Sequence, residues 1–433
     1  MAKEAKEGQQ SFLVDRNRLE LSTLRGEQKQ ITIMKELKSG VCIWALFGLL
    51  LCIFLFCGLG ECSNGLPLEI RSHAAVLMDG VTGQVIFEKN PQKRLGPAGL
   101  VKVMTLYLAF DALKGGLVKP DQKVVVSEKA WKTGGSQMFL KIGDKVPFVE
   151  LLKAVAAISA NDASVAIAEF LEDTEDAFVR EMNEKAGTLG LENTHFANSH
   201  GLFSEDQYTT AYDSAVLGFH YTRDHPDALV LHSIPQYEYG SIKQKNWNGL
   251  LEVDERVDGL KTGYLSDTGY HVLASAKEGE RRFIAVVMGA DTSGQRDQDA
   301  LKLLEHGFRN FTTKAVVRKG EIVGKVKVQK GKSPDVGLSA EDTVMITVRK
   351  DEAENIPMER QIPRFVTAPI VKGQVLGRLI VEMEGVPRKD VNLVASLDVP
   401  AKSYTRFYQL GLLVVIGLLA LAIWRIRNLK KRR

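Results

Sequence analysis

Three short stretches carry residue types that could do chemistry together. In Gly99-Leu100-Val101-Lys102 a lysine stands at a helix start. Residues three apart share one helix face, so position 99 and Lys102 point to the same place. Ser159-Ala160-Asn161 sets a hydroxyl and an amide in a break between two helical stretches. Lys261-Thr262-Gly263 sets an amine and a hydroxyl on a strand-like segment, and its glycine permits close backbone approach. Each is weak alone: a lysine at a helix start is ordinarily solvated, and Lys-Thr-Gly arises often by chance. Their order along the chain gives them weight as a set. Position 99 itself is glycine and has no side chain.

The elements that must position these residues follow from local pattern. The stretch 73–90 reads as two strands around the turn Asp79-Gly80-Val81-Thr82-Gly83. A helix should run from about Leu100 to Lys114 and stop at Gly115-Gly116. Residues 148–172 read as helix, break and helix, with Ser159 in the break, and 177–190 as a further helix with a glycine stop. Residues 257–264 start strand-like, 270–290 form a hairpin, and 297–311 form a closing helix. The fold class is therefore α+β: a sheet of early and late strands with helices inserted between them. From about Thr313 to Val399 short alternating strands at even spacing indicate a small all-β domain.

Composition excludes several classes. The net charge is only +4, which is no nucleic-acid footprint. All four cysteines (Cys42, Cys52, Cys57 and Cys62) lie in one apolar stretch, so the domains beyond it have no thiol for a disulfide or a metal. The histidines form no His-Glu-x-x-His pattern, and His195 and His200 lack a third ligand. No metal and no cofactor is expected.

Val41–Leu59 is an uninterrupted apolar run preceded by Lys35 and Lys38. Together with the small residues after it, the segment 41–63 reads as a signal peptide or membrane anchor. Residues 1–40 form a polar extension, with Met34 a candidate start. Near the other end, Leu410–Trp424 is apolar all round, and with its neighbours the span 407–426 reaches bilayer length. The basic tail 427–433 should stay in the cytoplasm, which puts the domains on the extracytoplasmic side of the membrane.

The order Ser-x-x-Lys, Ser-x-Asn, Lys-Thr-Gly resembles the motif set of serine penicillin-interacting enzymes, with only the first serine absent. The stretches PAGLVKVMT, ISANDASVAIAE, VDGLKTGYLSDTGYHVLASA and MNEKAGTLGLENTHFANSHGL are similar to those of the serine-type D-alanyl-D-alanine carboxypeptidases, the low-molecular-mass penicillin-binding proteins. The likeness covers the domain 70–311, and a β domain at 313–399 with a C-terminal membrane helix also fits that family. It implies a penicillin-binding, transpeptidase-like antiparallel sheet flanked by helices. It implies binding of peptidoglycan stem peptides and β-lactams, with cell-wall synthesis proteins as possible partners.

The resemblance also implies roles. A serine at position 99 would attack the penultimate D-alanine carbonyl, and Lys102 would take its proton. Burial and the nearby Lys261 should both lower the pKa of Lys102. Ser159 would relay a proton to the leaving group, and Asn161 would bond Lys102 and the substrate amide. Lys261 and Thr262 would bind the substrate's terminal carboxylate, and the backbone N–H groups of Gly99 and Tyr264 would form the oxyanion hole. Gly99 keeps that N–H but cannot form an acyl-enzyme, and no other Ser-x-x-Lys is present. The missing hydroxymethyl should leave a polar gap beside Lys102, large enough for a water that the lysine could activate. Other readings are an ordinary helix N-cap at Gly99, an idle cleft on a membrane-anchored scaffold, and an active enzyme with an engineered or miscalled Ser-to-Gly change.

Overall fold

The computed structural model describes residues 68–403 and 405–430. The polar extension 1–40, the signal or anchor at 41–63 and the last part of the basic tail, 431–433, lie outside the described residues.

The strand patterns resolve as β1 (Ala74–Asp79), β2 (Val85–Lys89), β3 (Val257–Leu265), β4 (Gly269–Glu278) and β5 (Arg281–Ala290). They form one antiparallel sheet in the order β2-β1-β5-β4-β3. The motif strand β3 is thus at an edge. The principal helices of this domain are α1 (Val101–Lys114), α2 (Phe148–Ile158), α3 (Asn161–Glu172), α4 (Glu175–Thr188), α5 (Ala211–Asp224) and α6 (Ser293–Asn310).

Burial explains the strand composition. β1 is buried throughout, and β4 and β5 are buried along long apolar runs, because helices cover both faces of the sheet. Adjacent residues of β5 show the two faces. Ile284 packs at Gly218 of α5, and Phe283 packs at Gly307 of α6. Threonine hydroxyls cap the helices that enter from loops: Thr174, Thr210 and Thr292 accept from the backbone N–H of Ala177, Asp213 and Gln295. α1 is buried from Val101 to Ala109. A helix that is apolar nearly all round belongs inside, and here it carries Lys102 inside with it.

The second domain has a two-stranded sheet, β6 (Phe311–Val317) with β9 (Val344–Arg349), and a six-stranded sheet. The latter comprises β7 (Ile322–Gln329), β8 (Asp335–Ala340), β10 (Met358–Gln361), β11 (Phe365–Thr367), β12 (Val375–Met383) and β13 (Val386–Ala395), in the order β10-β12-β13-β8-β7-β11. It has its own apolar core, including Val336, Leu338, Val381 and Leu393. The joint with the first domain is polar. The buried Asp79 carboxylate accepts from the N–H groups of Val81 (2.9 Å) and Thr82 (2.7 Å), from the Thr82 hydroxyl (2.9 Å), and from the Thr313 hydroxyl (2.5 Å). Thr347 Oγ1 lies 3.0 Å from Thr82 Oγ1 and 3.2 Å from Thr313 Oγ1.

The last helix, α7 (Thr405–Lys430), contains a span Tyr408–Asn428 with mean hydropathy 2.1 and no residue buried by the rest of the chain. Its length and composition suffice to cross a membrane.

Candidate active site

The start of α1 is a tight 3-10 turn over Ala98–Leu100, capped by Pro97, and Gly99 sits inside it rather than at an N-cap. Three residues on, Lys102 is 2% exposed and its Nζ donates to the His200 carbonyl. One turn further, Thr105 donates to the Ser199 carbonyl at 2.6 Å, so one face of α1 fixes the Ser199-His200 segment. Burial pushes the Lys102 amine well below its ordinary range. The positive charge of Lys261 adds to that shift, and the Asp162 carboxylate opposes it.

α2 ends at Ser159 in the left-handed conformation, φ 63° and ψ 32°. This reversal turns the Ser159 hydroxyl toward Gly99: a Cβ at position 99 would lie 3.2 Å from Ser159 Oγ. Asn161 opens α3, and here the structure differs from expectation. Its Nδ2 donates to the Gly134 carbonyl at 2.6 Å, and its N–H bonds to the Ser136 carbonyl at 2.7 Å. The amide therefore ties the 134–136 loop to the cleft, while Lys102 turns to the His200 carbonyl.

On β3, Lys261 is 2% exposed and its Nζ lies 3.2 Å from the Ala156 carbonyl of α2. Burial pushes its amine down to about 7. Thr262, Gly263 and Tyr264 line the cleft above it. The Tyr264 ring lies 4.4 Å from that of Tyr270, with its edge open to solvent. The expected close approach at Gly263 is real: a Cβ there would stand 2.6 Å from Gly99 N and 2.8 Å from the Ala98 Cβ.

At Gly99 the edge strand comes close. The Thr262 carbonyl oxygen lies so close that a Cβ at position 99 would overlap it. A missing side chain leaves a void only if its neighbours stay put. Here the edge strand stands against the turn where a side chain would begin, while Gly99, Lys102 and Ser159 still line the open cleft.

The cleft measures about 1000 Å³ and brings together Gly99, Lys102, Ser159, Asn161, Thr262, Gly263 and Tyr264, with Lys261 just behind the wall. Sequence reasoning missed further wall residues. His200 lines the cleft, and Nε2 lies 3.5 Å from Glu175. Burial lowers its pKa to about 4 despite that carboxylate, so the ring is neutral at pH 7. Burial tends to raise the Glu175 pKa, but bonds from Lys129 and Ser199 outweigh it and hold it below its ordinary value. Arg296, on the far wall, is bound to Asp297 through Nε (2.8 Å) and Nη2 (3.0 Å). The stretch Asn198-Ser199-His200-Gly201-Leu202 signalled itself only as part of a longer match. Arg296 gave no local signal, since it is one charge on an amphipathic helix.

An edge strand with Lys-Thr-Gly, set against an interhelical Ser-x-Asn break and a buried helix-borne lysine, defines the penicillin-binding type of peptidase fold. Comparison with known proteins narrows this class. The family model of peptidase family S11, D-alanyl-D-alanine carboxypeptidase, matches residues 62–292, and that of the penicillin-binding protein 5 C-terminal domain matches residues 311–401. The chain is 37% identical over 353 residues to D-alanyl-D-alanine carboxypeptidase DacF of Bacillus subtilis, covering 80% of this chain and 90% of that protein. Penicillin-binding protein 5 of Haemophilus influenzae superposes with a TM-score of 0.72 at 35% identity, covering 78% of this chain and all of that one. The ampicillin-bound penicillin-binding protein D2 of Listeria monocytogenes superposes at 0.52 with 28% identity, covering 56% of this chain and all of that one. The chain belongs to the D-alanyl-D-alanine carboxypeptidase family.

Proposed function

We propose that this protein binds the D-Ala-D-Ala end of peptidoglycan stem peptides, and β-lactams that mimic it, without forming an acyl-enzyme. The observation that carries this reading is Gly99: it has no oxygen to attack a carbonyl, and the Thr262 carbonyl oxygen crowds the position a Cβ would take. The anchors for a ligand remain. Lys261, positive below about pH 7, and Thr262 hold the terminal carboxylate. The N–H groups of Gly99 and Tyr264 face the carbonyl, and Ser159 and Lys102 lie beside the scissile amide. Without the nucleophile, turnover falls by about four to six orders of magnitude. A side chain at residue 99 would require β3 or the turn to shift. We further propose that α7 anchors the chain in a bacterial cell membrane with its basic tail in the cytoplasm and its domains outside.

Two measurements test the reading. Incubation with a fluorescent penicillin should leave the denatured protein unlabelled, and a labelled band would overturn the proposal. Calorimetry should show a D-Ala-D-Ala peptide binding reversibly and Lys261→Ala abolishing it. No heat of binding in the unaltered protein would favour the scaffold with an idle cleft.

A further inference from the structure

The β domain carries a cluster of cations that the cleft does not use. Lys327, Lys332, Arg364 and Lys402 line a concavity of about 540 Å³, with the half-exposed Phe365 in its wall. Lys330 is exposed on the adjoining turn. Three pairings gather residues far apart in sequence. β7 and β11 run parallel, with Lys327 opposite Phe365. Gly331 pairs with Ala401, and the Lys332 and Lys402 N–H groups bond the Pro400 and Lys330 carbonyls at 2.8 and 2.7 Å. Asp335, cross-strand from Lys327, is the neighbouring carboxylate. Among the described residues no ion pair joins any of these five cations to an acid. Elsewhere on the same domain exposed cations do pair, as Lys319 with Asp342 and Arg388 with Asp390.

The position of the cluster is as telling as its charge. Lys402 is three residues before the first residue of α7. Three residues of extended chain span at most about 11 Å. Lys402 therefore sits within about 11 Å of the start of α7, and the pairings above gather the other cations near it. Cations within about a Debye length of an anionic leaflet gain roughly fivefold in binding each. An exposed aromatic ring among them suits the headgroup level, where aromatic side chains have an apolar body and a wet edge.

We propose that this basic collar binds the anionic phospholipid headgroups of the leaflet that α7 enters, and so docks the β domain on the membrane. The inference rests on the membrane reading of α7 and is independent of what the cleft does. Its charge complements phosphate. The site commits to lipid phosphate because of its place at the point where the chain leaves for α7.

The test uses the full chain in lipid nanodiscs of phosphatidylcholine alone and of phosphatidylcholine with phosphatidylglycerol. Lysine acetylation is read by mass spectrometry. Lys327, Lys330, Lys332 and Lys402 should react about tenfold more slowly in the anionic discs, and 1 M sodium chloride should remove the difference. Lys319, at the opposite end of β7, should react equally in both. A Lys332→Glu, Arg364→Glu variant with an unchanged melting temperature should lose the protection at Lys327. Equal reactivity in the two discs overturns the collar while leaving the anchor intact. The same protection from millimolar inorganic phosphate in neutral discs overturns the assignment to lipid. Failure of the chain to enter either disc overturns the anchor, and the collar with it.

Discussion

The carbonyl oxygen of Thr262 lies too close to the point where a side chain at residue 99 would begin for that side chain to fit without a shift. This relationship decides what the glycine means. Backbone dihedrals do not require it, since Gly99 is outside the positive-φ set that includes its neighbour Ala98, at 51°. A side chain there would press on the edge strand β3 first and on the Ser159 hydroxyl next.

Gly99→Ala and Gly99→Ser should therefore both destabilise the fold, because β3 or the turn must retreat. Overpacking of this kind costs about 1–3 kcal/mol. Chemical denaturation checks it. Gly99→Ser should in addition acquire slow covalent labelling by fluorescent penicillin, and Gly99→Ala should not. Stability equal to that of the unaltered protein in both would mean that β3 does not press on the turn.

Gly263→Ala addresses the same contact from the other side. Its Cβ would press on Gly99 N and the Ala98 Cβ, both part of the turn. The substitution should destabilise by about 1–3 kcal/mol and weaken D-Ala-D-Ala peptide binding at least tenfold. Calorimetry and a melting curve read the two effects.

The buried lysines make stability depend on pH. Lys261 titrates near 7 in the fold and near 10.5 when unfolded, and burial lowers Lys102 as well. Between those values the unfolded chain holds protons that the native state has lost. Stability should thus rise with pH from about 7 toward 10.5, by about 1.4 kcal/mol per pH unit for each such proton. Lys261→Met should remove part of that slope. Ligand binding should follow the opposite course. A carboxylate needs the protonated amine, so affinity should fall as pH rises above about 7, and calorimetry at pH 6 and pH 8.5 would show it.

At the domain joint, Asp79 accepts four hydrogen bonds that no solvent can replace. Asp79→Ala should cost about 3 kcal/mol or more, and Thr313→Val about 1 kcal/mol. Denaturant unfolding measures both. An Asp79→Ala loss below about 1 kcal/mol would show that the joint does not depend on the carboxylate.

Much of this architecture was legible in the sequence. Glycine stops placed the ends of helices, as at Gly115, and alternation marked the second half of β7. The break at Ser159 and the close approach at Gly263 followed from residue type. What escaped notice depends on tertiary distance. Asn161 could reach several acceptors, and only the path of the 134–136 loop selects Gly134. His200 meets Lys102 through a backbone carbonyl, which every residue has. The closure of β3 on Gly99 is a matter of ångströms between segments far apart in the chain, and no local pattern encodes it. Arg364 and Lys402 read as scattered surface charge until parallel pairing and a bridge bring them together.

The strand order has a consequence for how the protein comes into being. β1 is made first, yet its sheet partner β5 is among the last parts of the domain to be synthesised, with Ala74 pairing with Met288. Until Ala290 has emerged, the apolar strand β1 lacks its central neighbour. Lys102 and Lys261, on either side of that delay, are not brought together before then. Such long-range pairing is slow, and its unpaired strands invite aggregation. Helpers that shield nascent chains should therefore matter most while the helices between β2 and β3 are emerging, well before the β domain exists.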